Sequence, residues 1–217
     1  MNKNKLFLGI LVFGSMWGFS EVIIGSALSD LGMPSGALMT GFFALTFLVM
    51  SRMYYKQPGM QIGMGLVAGS LRLFNPFVGC HLCSALAIMA EGLIFEMIWI
   101  KIHDDITKDL NNLTIQASMG VVTAYLVFVS GYIVTQILTP IVQGTGFYLE
   151  NLVMFMPNIL AAGLIPALIG SVMLPIILLA KKLDISKIED RYYYPTTISI
   201  TLFCWIFVIL SSFLLTS

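Results

Sequence analysis

Seven runs of roughly 17 to 25 mostly apolar residues, at about 6–28, 34–53, 60–75, 82–100, 115–138, 157–180 and 197–215, occupy nearly the whole chain. About 20 helical residues cross the hydrocarbon core of a bilayer, so each run is long enough, or nearly so, to span it. The third run is short and the sixth holds Pro166 and Pro175. Membrane helices tolerate both features when neighbours satisfy the freed backbone groups. The expectation is an all-α, polytopic transmembrane helix bundle of about seven helices, forming one domain over residues 1–217.

With 58% hydrophobic and 10% charged residues, the chain has too little polar surface to stay dispersed in water. Spans and short connections leave no room for a separate soluble catalytic or nucleic-acid-binding domain. Lys3 and Lys5 before an apolar run imitate a signal peptide, but the run is long enough to span and no small-x-small cleavage pattern ends it, so it reads as the first span.

The basic residues set the orientation. Lys3 and Lys5 precede the first span, Arg52 and Lys56 follow the second, Lys101 and Lys108 the fourth, and Lys181, Lys182, Lys187 and Arg191 the sixth. The connections around Asp30, 75–79 and 139–156 hold no lysine or arginine. The positive-inside rule therefore predicts a cytoplasmic N-terminus and an outer C-terminus. Tyr54, Tyr55, Trp99 and Tyr192 to Tyr194 fall at the predicted inner boundary, as interfacial aromatics do. The stretch 139–156, with Gly144, Gly146 and Tyr148, reads as a long outer loop.

Ionisable side chains at membrane depth are costly unless paired or hydrated, and there are four: Glu21, Arg72, Glu91 and Glu96. Gly14, Gly18, Glu21 and Gly25 share one face of the first span, a small-residue surface suited to packing on protein. Gly65, Gly69, Arg72 and Pro76 do the same on the third. At 1.5 Å per residue, Glu21 and Arg72 lie about 10 and 5 Å below the outer boundary, at matching depths for an ion pair. On the fourth span, His81, Ser84, Ala87 or Ile88, and Glu91 form a polar strip reaching the same depth. Glu96 is turned away, toward the cytoplasmic end with Trp99 and His103, where water or a partner would meet it. These positions outline an outward pocket with Arg72 as anion or carbonyl anchor and Glu21, Asn75, His81, Glu91 and Asn158 as hydrogen-bonding groups. The plainer readings are that Glu21 and Arg72 clamp two helices together and that Asn158 caps or bonds a helix.

Cys80-His81-Leu82-Cys83 places a C-x-x-C at the outer start of the fourth span, where a helix N-terminus favours a thiolate. Cys80, His81 and Cys83 are candidate ligands for a soft or borderline metal ion or contacts for haem, and the cysteines are candidates for thiol redox chemistry. Ordinary packing accounts for them equally well. Enzyme signatures are otherwise lacking: the last span has no lysine for a retinal Schiff base, the two histidines suit no serine-protease arrangement, and no H-E-x-x-H or phosphate-binding glycine loop occurs.

Three stretches carry a family resemblance: Tyr54-Tyr55-Lys56-Gln57-Pro58-Gly59 with Gly63, Gly65 and Gly69; Ala90-Glu91-Gly92-Leu93-Ile94-Phe95-Glu96; and 151–182 with Asn158. In these the chain resembles the substrate-binding S components of energy-coupling factor transporters. The resemblance implies a six-helix core, here 1–182; the C-terminal span at 197–215 departs from the family pattern. It also implies a bacterial inner-membrane location and an importer subunit that captures a vitamin-like small molecule. Its partners would be a coupling transmembrane subunit and ATPases, with Gly14 and Gly18 as the docking face. The Met-His of the nickel and cobalt members is absent. Two alternatives stand beside it: a membrane metal, haem or thiol-redox protein using Cys80, His81 and Cys83, and a structural membrane subunit without a ligand.

Overall fold

The computed structural model describes residues 3–74, 81–100, 112–179 and 189–216. Every regular element among them is helical: α1 (Lys3–Asp30), α2 (Ser35–Tyr55), α3 (Met60–Arg72), α4 (His81–Trp99), α5 (Leu113–Val142), α6 (Leu149–Leu179) and α7 (Asp190–Thr216). All but α3 are long and apolar enough to cross a membrane, so the chain is a multi-pass membrane protein. Of α3's 13 residues, those facing α1 and α4 are glycine, alanine and other close-packing groups. A short helix held between two long neighbours meets little lipid and needs no full-length apolar surface.

The first six helices form a closed ring. α1 packs on α3, α3 on α4, α4 on α5 and α5 on α6, and α2 closes the circle between α6 and α1. α7 lies outside the ring against α1. The contacts fix the directions: Gly14 faces Met64 and Val67 and Gly18 faces Ala68, so α1 and α3 run parallel, whereas Gly65 meets Gly92 and Gly69 meets Ala85, so α3 and α4 run antiparallel. One end of the bundle therefore gathers the starts of the odd helices and the ends of the even ones.

At that end, polar groups tie the helices to one another. Glu96 on α4 accepts from the backbone N–H groups of Gly59 and Ile62, the latter at 3.1 Å, and so caps the first turn of α3. The expectation that Glu96 meets water or a partner is thus corrected: its partner is a helix N-terminus within the chain. Arg52, 2% exposed, donates to the Trp99 carbonyl at 3.1 Å, at the C-terminal end of α4 where a cation is favoured. Trp99 donates in turn to Thr123 on α5 at 3.1 Å. Of the aromatics expected at the inner boundary, Tyr55, Trp99 and Tyr193 are buried among the helices, whereas Tyr192 is 63% exposed.

The second half of the chain departs from the sequence expectation in one respect. α5 and α6 extend far into 139–156, leaving only 143–148 between them, with Gly144 and Gly146 at φ of 73° and 79°. Each helix is near 30 residues, about 45 Å long, more than the hydrocarbon core requires. α6 is interrupted at Gly163 between Leu149–Ala162 and Leu164–Leu179. Pro166 has no N–H to offer the Ala162 carbonyl, so the break falls one turn before it.

α7 is attached at its first turns by polar contacts and farther along by apolar packing of Val208 on Val22 and Leu71. The Tyr193 hydroxyl lies 2.8 Å from that of Tyr55 and donates to the Lys5 carbonyl at 2.9 Å, and Lys5 pairs with Asp190 at 2.7 Å. Farther along, Trp205 donates to Ser15 at 3.0 Å. Tyr193→Phe is expected to cost about 1 kcal/mol and to speed amide exchange in the first turns of α7 relative to α1. Hydrogen-exchange mass spectrometry reads this directly, and unchanged protection would show that the hydroxyl network does not hold the helix.

Candidate functional site

A cavity of about 220 Å³ opens among α1 to α5, toward the end of the bundle opposite Lys5, Arg52 and Asp190. Alternating helix direction assembles it. Glu21 and Gly25 come from late α1, Ser35, Gly36, Met39 and Thr40 from early α2, and Arg72 from the last turn of α3. Ser84, Ala87, Ile88 and Glu91 come from the first half of α4, and Phe128, Gly131, Tyr132 and Thr135 from the second half of α5. The spacing of Ser84, Ala87, Ile88 and Glu91 is that of one helix face, as the sequence suggested.

Glu91 is the innermost charged group, 8% exposed. One carboxylate oxygen accepts from the Thr40 hydroxyl at 3.2 Å; the other is buried with no hydrogen-bond partner among the described residues. It is accommodated because residue 131 is glycine: a Cβ there would stand 2.9 Å from the Glu91 side chain. Thr40 opens a π-helical turn, Thr40–Ala44, within α2. Such turns insert one extra residue per helical repeat and recur at functional sites, and here the turn presents Thr40 toward α4.

Glu21 and Arg72 meet, but not as an ion pair. Arg72 donates to the Glu21 backbone carbonyl at 3.0 Å, while the Glu21 carboxylate accepts from Trp17 Nε1 at 3.3 Å. Within the described residues there is no contact of ion-pair length between the two side chains. The guanidinium takes a carbonyl of α1, and the Glu21 carboxylate lines the cavity, interacting electrostatically with both Arg72 and Glu91.

The other sequence candidates separate from this group. His81 is half-buried at the start of α4 and Asn158 is exposed on α6; neither lines the cavity. Asn75, Cys80 and His103 lie outside the described residues. Cys83 is buried and disulfide-bonded, and Cys204 on α7 is a buried free thiol. A metal site held by Cys83 would require that bond to be reduced, and among the described residues no group of three histidine, cysteine or carboxylate side chains is arranged to hold an ion. Gly14 and Gly18 are buried against α3, with Cβ positions 2.9 Å from the Met64 carbonyl and the Ala68 backbone respectively. That side of α1 is filled by α3 within the chain.

Two sets of lining residues had no clear sequence signal: Ser35 to Thr40 at the start of α2, and Phe128 to Thr135 on α5. Gly131 within an apolar run was the one available hint of a close approach. Comparisons with protein-family models, with curated proteins and with solved structures find no match for this chain.

Proposed function

We propose that the chain is a substrate-binding membrane subunit of an importer, capturing a small polar molecule in the α1–α5 cavity. The observation that carries this reading is Glu91: a buried carboxylate, with one oxygen unpartnered among the described residues, at the wall of a five-helix cavity large enough for several non-hydrogen atoms. A purely structural carboxylate at that depth is expected to have both oxygens satisfied, as those of Glu96 are. The six-helix ring with α7 outside it is compatible with the core-plus-one organisation expected of an S-component-like protein. Under that reading the basic end faces the cytoplasm, the cavity faces outward, and transport is driven by a coupling subunit with ATPases.

Ligand binding that occurs in this cavity stabilises the fold by about 2.7 kcal/mol at one hundred times Kd. A thermal-shift screen of polar metabolites on protein in lipid nanodiscs is expected to find such a ligand. Ser84→Trp, which fills the cavity from a half-buried position, is expected to abolish the shift. A ligand whose shift survives Ser84→Trp binds elsewhere and would remove the basis of the proposal.

A second reading, a membrane thiol-redox protein, has the disulfide at Cys83 in its favour.

A further inference from the structure

The cavity's charge inventory narrows the ligand class, an inference that rests on the binding reading above. Glu21 and Glu91 bring two carboxylates to the lining and Arg72 one guanidinium. Arg72 donates to the Glu21 carbonyl and also attracts its carboxylate, so with all three groups ionised the described lining carries a net charge of −1, two carboxylates against one guanidinium. A carboxylate isolated in a low-dielectric interior is neutralised either by a proton or by a counter-charge at hydrogen-bond distance, and a cationic ligand supplies the second. Glu91 lines the cavity and keeps one buried oxygen without a hydrogen-bond partner among the described residues.

The remaining lining suits a cation with a carbon skeleton better than a bare ion. Phe128 and Tyr132 present aromatic rings, and Met39, Ala87 and Ile88 are apolar. Aromatic faces attract organic cations, and apolar walls bury attached carbon. A volume of about 220 Å³ is several times the roughly 30 Å³ that one water occupies in the liquid, so a dehydrated metal ion would leave most of it empty. An anion would face both carboxylates.

We infer that the cavity binds a small organic cation, its ammonium or amidinium group donating to Glu91 and Glu21 and its carbon skeleton lying against Phe128 and Tyr132. The carboxylates set the charge preference, Thr40 fixes Glu91 through its other oxygen, and Ser84 and Thr135 offer hydroxyls to polar substituents.

Three probes of similar shape and different charge test this: butylammonium, 1-butanol and butyrate, titrated by calorimetry onto the full chain in uncharged phosphatidylcholine nanodiscs. Butylammonium is expected to bind at least about tenfold more tightly than either of the others, as loss of one charge-assisted hydrogen bond implies. In Glu91→Gln, which keeps the side-chain shape, the preference is expected to fall to about twofold or less. Equal or tighter binding of butanol or butyrate, or no detectable butylammonium binding, would overturn the cation assignment. A metabolite of another charge whose shift Ser84→Trp abolishes would then leave the cavity reading intact. Because the wild-type ratio alone decides the matter, the test does not depend on the variant folding.

Discussion

Gly120→Ala is expected to destabilise the bundle by about 3 kcal/mol, although alanine is the better helix former. Gly120 on α5 and Gly170 on α6 bring two backbones into direct contact: a Cβ on Gly170 would stand 2.5 Å from the Gly120 carbonyl oxygen, and a Cβ on Gly120 would collide with the Gly170 carbonyl. The obstructing atoms are backbone, so no rotamer change relieves them and the helices must separate. Separation would also loosen Ala124 and Leu174, both fully buried beside the contact. Gly25→Ala supplies the contrast, because its Cβ would meet Met39 at an ordinary 3.5 Å. There the helix-propensity gain of up to about 1 kcal/mol is unopposed. Unfolding titrations of the two variants in mixed micelles should give opposite signs. A neutral Gly120→Ala would mean that α5 and α6 do not approach as closely as described.

Glu96→Ala is expected to cost a similar amount, about 3 kcal/mol, by stripping two charge-assisted hydrogen bonds from the start of α3. The Gly59 and Ile62 N–H groups face no carbonyl of their own helix, and Glu96, 6% exposed, shields them from water. At 13 residues, α3 is close to the length at which an isolated helix is marginal, so its cap matters more than that of a long helix. Glu96→Gln keeps an acceptor oxygen for one of the two donors and should lose about half as much. Hydrogen exchange at Met60 to Ile62, compared with the rest of α3, localises the effect. Protection unchanged in Glu96→Ala would show that the carboxylate is not the cap.

The seven apolar runs correspond one for one to the seven helices, because hydrocarbon solvent leaves a 20-residue apolar stretch few alternatives to a helix. Helix ends were less legible: 139–156 looked like a loop for its glycines, yet α5 and α6 continue into it. The intramembrane charges also stood out. Glu21, Arg72 and Glu91 drew notice because charge at that depth is costly, and all three line one cavity. Their mutual bonding was not legible. Matching depths suggested an ion pair, whereas the guanidinium takes a backbone carbonyl, an acceptor that a side-chain pattern does not reveal. Glu96 illustrates the same limit, since nothing in its neighbourhood in sequence names Gly59 and Ile62 as partners 37 and 34 residues away.

The sequence by itself determined that this protein is helical and membrane-spanning and which charged residues sit at depth, because those properties follow from apolar length and from the cost of placing charge in hydrocarbon. Only the tertiary structure decided what the small and polar residues are for. Gly14 and Gly18 admit α3, Gly131 makes room for Glu91, and the π-helical turn of α2 brings Thr40 to its carboxylate. Those roles depend on which helix faces which, and at what distance, a relation set by packing between segments far apart in the chain.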